Sequence, residues 1–174
     1  MAFATTFCWI AAVTFGLDPG VGEGLVLDPV LRTGLRLVAS FCGVIGFSII
    51  FNSPMKMAIT AGLIGCIANT MRLTLVDYAG MSAVVCSFLG AFLVGILATL
   101  FVRKANYPRV GFTVPAVVVS VPGLFMYRAI YYLGTGEIST GLSFMFKAIA
   151  IVFAIGLGIL FSRYCTDSQF RHRG

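Results

Sequence analysis

Residues 113–128 read TVPAVVVSVPGLFMYR, an apolar run interrupted by Pro115 and Pro122, by Gly123, and five residues later by Arg128. In hydrocarbon a backbone group freed by proline must find a partner inside the protein. Breaks in a spanning segment are therefore kept where the segment is buried or lines a watery cavity. The stretch predicts a spanning helix broken at Pro122-Gly123, and marks it as the working element of a membrane protein.

The rest of the chain agrees with that reading. It has 174 residues, 59% hydrophobic and 10% charged, with a mean hydropathy of +1.02, far outside the range of soluble domains. Its apolar runs are long and continuous rather than alternating, so helices rather than a barrel are the spanning solution. The predicted architecture is all-α and polytopic. It has five core transmembrane helices, a short N-terminal sixth, and a fourth helix broken at Pro122-Gly123.

In chain order, residues 1–17 form a short apolar segment of about 25 Å as helix, against a hydrocarbon core of about 30 Å. No Lys or Arg precedes it, which argues against a secretory signal. An acidic connector follows with Asp18, Glu23 and Asp28. Asp28 is read as an N-cap, Pro29 as the first helical residue, and Arg32 as the ion partner of Asp28. The spans are expected at about 37–51, 57–76, 81–102, 108–133 and 142–161, with Ser53 capping and Pro54 opening the second. Three regions result: residues 1–36 as N-terminal segment and connector, 37–164 as a transmembrane transporter module, and 165–174 as a basic tail.

Cations beside short loops set orientation. Arg103, Lys104, Arg109, Arg163, Arg171 and Arg173 place the third loop and the C-terminus inside, so the chain is expected in the inner (plasma) membrane with its C-terminus cytoplasmic. Lys56 falls on the same side and the acidic connector on the other. Topology accounts for the net charge of +6, and no basic stripe interleaved with aromatics points to nucleic acid.

Three cations break this pattern: Arg72, Arg128 and Lys147, all at similar depth in the outer third of the membrane. A charge at such depth is costly and normally faces a cavity or a partner. Snorkelling, or pairing with Asp77 and Glu137, is one explanation. The other is an anionic substrate group held by Arg128 and the N-terminus of a half-helix starting at Gly123. Asn69 shares a face with Arg72 at a spacing of three, and is placed to orient the guanidinium or touch substrate.

The six acids all lie in connectors or the tail, which leaves a coupled carrier no carboxylate at depth. Five scattered cysteines and one tail histidine, His172, offer no metal spacing. No catalytic constellation is available, so neither enzyme chemistry nor a cofactor is expected. Small residues at packing distance, Gly62 with Cys66 and Ala150, Ala154 and Gly158, predict close helix contacts.

Phe51-Asn52-Ser53-Pro54, the run from Asn69 to Arg72, and above all Pro122-Gly123-Leu124-Phe125-Met126-Tyr127-Arg128 resemble the threonine/serine exporter family. The resemblance is to its second membrane module, which occurs fused to a larger first module or as a small separate subunit, including the type linked to succinate export. It covers about residues 37–164 and leaves residues 1–36 as a departure.

The resemblance implies a carrier exporting small carboxylate-bearing metabolites, working in the lipid bilayer as an oligomer with a subunit carrying the first module. It also implies that Asn52, Pro54, Arg72, Pro122, Gly123, Tyr127 and Arg128 match family positions. Arg128, Arg72, Lys147, Tyr127 and Asn69 are thus the candidate substrate contacts. Pro115, Pro122 and Gly123 form the structural break. The alternative function is a non-transporting scaffold subunit of a transport complex.

Overall fold

The computed structural model describes residues 28–105 and 108–166, together with Ile10 and Thr14, both helical. The expected short span at residues 1–17, the first part of the connector and the tail beyond residue 166 lie outside the described residues. Six helices follow in order: α1 (Pro29–Ile50), α2 (Met55–Tyr78), α3 (Ala83–Ala105), α4 (Arg109–Val118), α5 (Gly123–Gly134) and α6 (Ile138–Thr166). There is no strand among the described residues. Four of these helices are long and apolar enough to cross a membrane, and α4 with α5, bent by 42° at their break, make either a fifth, broken span or a re-entrant loop.

The turns explain the boundaries. Between α1 and α2, Asn52 takes the left-handed conformation (φ 54°), which Asn tolerates better than most residues. The Ser53 N–H donates to the Ser48 carbonyl at 3.0 Å. Pro54, expected inside the helix, is its N-cap instead, and no side chain caps it. Gly80 (φ 60°) and Gly136 (φ 88°) occupy the same left-handed region in the turns after α2 and α5.

The described residues form two compact units, one holding 28–121 and 153–166, the other 122–152. In the larger unit α2 is central, packed on α1, α3 and α4. Its apolar residues run all round the helix, toward these neighbours and on the stripe they leave open. Small residues permit the packing: a Cβ at Gly62 would come within 2.9 Å of the Phe41 ring, and one at Gly65 within 2.6 Å of Val44 and 3.2 Å of the Ala116 backbone. Ile59, Leu63 and Ile67, four apart on the remaining stripe, are exposed, as lipid-facing side chains must be. The expected contact at Gly158 is also present, since a Cβ there would lie 2.6 Å from the Phe88 carbonyl oxygen.

The ends of this unit carry different charges. Gly111 meets the Met57 side chain, and Arg109 Nη2 donates to the Gly95 carbonyl (2.9 Å) and Ser162 Oγ (3.1 Å). Lys56, Arg109 and Arg163 therefore share one end. At the other end Asp77 accepts from Arg36 at 2.6 Å and Arg32 at 3.3 Å. This corrects the expected Asp28–Arg32 pair. Asp28 caps α1 through its backbone, without a side-chain bond, while the end of α2 brings Asp77 against the first turns of α1.

In the smaller unit α5 and the first half of α6 form a helical hairpin. Its turn is closed by Thr135 N–H to the Tyr131 carbonyl (3.0 Å) and Glu137 N–H to the Tyr132 carbonyl (2.9 Å). Gly141 lets α6 approach Leu133, whose Cγ stands 2.7 Å from where a Cβ would be. Helix α6 begins at Ile138, four residues before the expected start, because this turn is so short.

Candidate functional site

The broken span forms as the residues dictate. Pro115 sits inside α4 without ending it. The helix stops after Val118, where Ser120 and Val121 N–H groups turn back to the Val117 and Val118 carbonyls at 2.8 and 3.1 Å. Pro122 then caps α5, with no side-chain cap and no acid in the first turn. Pro122 has no N–H to give the Val118 carbonyl, and the Val121 N–H takes that carbonyl in a tighter turn instead.

Along α5, Phe125, Arg128 and Tyr132 are spaced three and four apart and so share one face. Phe144 of α6 receives all three. Its ring stacks on Tyr132 at 5.6 Å between centroids, lies 6.3 Å from Phe125, and carries the Arg128 guanidinium 5.7 Å from its centre. Lys147, one turn further along α6, places Nζ 5.6 Å from the same centre. Two cations thus stand by one aromatic ring, whose negative face attracts each of them while their mutual repulsion is met by no carboxylate among the described residues. Arg128 Nε is buried and has no hydrogen-bond partner among the described residues. Tyr127 stacks on Tyr131 at 6.4 Å, and Tyr131 meets Tyr132 edge-on at 5.4 Å.

The second group of candidates lies in the other unit. Arginine only donates hydrogen bonds, so Asn69 turns its Oδ1 to Arg72, accepting from Nε (3.2 Å) and Nη2 (3.0 Å). The Asn69 amide nitrogen then donates to Ser40 Oγ of α1 at 2.8 Å. Arg72 Nη1 reaches Ser87 Oγ of α3 at 3.5 Å. Asn69, Ser40 and Ser87 are all buried. The pairing of Arg72 with Asp77 that snorkelling would favour is not made, since Asp77 is engaged by Arg32 and Arg36.

The structure therefore joins Arg128 to Lys147, and Asn69 to Arg72, in separate units. Phe144, Tyr132, Ser40 and Arg36 are the participants that sequence reading missed. Phe144 and Tyr132 were within reach of helical spacing, three residues before Lys147 and four after Arg128. Ser40 was not, because nothing in a single helix registers it against its neighbour. The turn residues Asn52 and Pro54 border a cavity of about 260 Å³ that Val110, Gly111 and Pro115 of α4 also line.

Several helices long and apolar enough to cross the bilayer define a multi-pass membrane protein. Residues 36–165 match the family described as Threonine/Serine exporter, ThrE, and the chain belongs to that family. No solved structure matches it.

Proposed function

We propose that this chain is a membrane subunit of an exporter that carries small carboxylate-bearing metabolites, threonine- and serine-type amino acids or dicarboxylates such as succinate, out across the inner membrane. It acts with a partner subunit bearing the family's first module, and its C-terminus faces the cytoplasm. The substrate carboxylate is received by Arg128 and Lys147 around Phe144, with Tyr127 on the neighbouring face of α5. The observation that carries this reading is the pair of cations on one ring, which makes no ion pair with a carboxylate among the described residues. Arg72 and Asn69 take a different part: with neutral partners on α1 and α3, they fasten the helices of the larger unit.

Efflux of threonine, serine and succinate from cells expressing the chain, alone and with its partner, tests the assignment. Arg128→Gln, which removes a partly buried charge, is expected to lower efflux about tenfold or more, and Lys147→Gln, at an exposed side chain, to lower it by less. Unchanged efflux at normal protein levels makes both residues structural. Full efflux from the partner alone supports the scaffold reading instead.

A further inference from the structure

A groove of about 280 Å³ runs along α4 to the C-terminal part of α6, within the larger unit. Its walls are apolar, built from Val110, Val114, Val117, Val121 and Ile159, and at one end stand Arg109 and Arg163. No acid lines it. From Arg109 to Val118 the lining covers about 14 Å at a helical rise of ~1.5 Å per residue. Arg109 is not a loose surface cation, since its Nη2 is anchored by the Gly95 carbonyl and Ser162 Oγ, which fixes the guanidinium at the groove's mouth. Val110 and Val114 are 61% and 40% exposed, so the groove opens sideways, toward lipid.

We infer that this groove is a binding site for an anionic phospholipid. The phosphate sits on Arg109 and Arg163 at the cationic end of the unit, and one acyl chain lies along the valine wall. Charge complementarity selects the occupant: a neutral solute has no use for two arginines, and a free anion has none for the apolar channel. Basic recesses between membrane helices at the cationic face are suited to such headgroups. The site is independent of Arg128 and Lys147, so it stands or falls apart from the export reading.

Native mass spectrometry of the full chain, offered equimolar dioleoylphosphatidylglycerol and dioleoylphosphatidylcholine, tests it. The expected result is preferential retention of phosphatidylglycerol, reduced about fivefold by Arg163→Gln, the change one surface arginine is worth to an anionic lipid. Because Arg109 also ties helices together, Val114→Trp serves as the second variant, blocking the groove from its open side while leaving both arginines. It is expected to lower phosphatidylglycerol retention to the phosphatidylcholine level. A third arm adds inorganic phosphate at millimolar concentration. Failure of phosphate to displace the lipid supports a site that reads headgroup and chain together, whereas displacement to the phosphatidylcholine level overturns it. Equal retention of the two lipids, or retention unaltered in both variants, also overturns the proposal.

Discussion

Asn69 decides how Arg72 is kept in the membrane. A guanidinium at depth is tolerable only if its donors are met, and the Asn69 carbonyl meets two of them while its amide reaches a second helix. Asn69→Ala removes both links and leaves Arg72 with the long contact to Ser87. The expected loss is about 1–2 kcal/mol, seen as a lower melting temperature in detergent. Asn69→Asp keeps the acceptor but not the donor to Ser40, and should fall between the two. Melting of the alanine variant at the wild-type temperature would show that the amide does not hold the arginine. The Asn69–Arg72 part of this network was legible from a spacing of three on one helix. The Ser40 and Ser87 parts required α1 and α3 to be in place.

At the scale of elements the two prolines of the broken span do different things. Pro115 is fully buried within α4, while Pro122 ends one helix and caps the next. A Cβ at Gly123 would meet nothing within 4 Å, so the double change Pro122→Ala, Gly123→Ala restores the missing N–H and supplies two helix-favouring residues without a local clash. That variant is expected to fold and to lose most of its efflux, if the break is what presents Arg128. Normal export by it would reduce the break to a kink. The α3–α6 contact gives a second, paired expectation. Gly158→Ala sets a Cβ against the Phe88 carbonyl, which is backbone and cannot rotate away, and should cost about 1–3 kcal/mol. Gly156→Ala has open space and should be nearly neutral in the same unfolding measurement.

At the scale of the molecule, the count and nature of the spans were legible because the bilayer allows so few solutions. Four spans, and the bent helix pair broken at Pro122-Gly123 where a fifth is expected, follow from apolar run length and proline chemistry. Ion pairing was less legible: Asp28 and Arg32 are a correct helical spacing, yet Asp77, far along the chain, takes the arginine. Tertiary proximity overrode local geometry there. The same proximity provides a test of orientation, because Arg109 bonds to Ser162 and so places the start of α4 beside the end of α6, whereas Tyr78 lies beyond Asp77 at the opposite end of α2.

Cys165 and Tyr78 are both exposed, which makes them natural reporters of the two ends. In a variant whose other cysteines are replaced by serine or alanine, Cys165 is expected to escape a membrane-impermeant maleimide in intact cells and to react after permeabilisation. Tyr78→Cys, with Cys165 also replaced, should react before permeabilisation. Exchange of the two patterns would place the lysine- and arginine-rich end outside, against the bias that governs short loops. Identical patterns at both positions would be harder to absorb. A helix of 24 residues separates the turn beside Lys56 from Tyr78, about 36 Å at ~1.5 Å per residue, and a helix of that length and apolarity has no way to return both ends to one face of the bilayer.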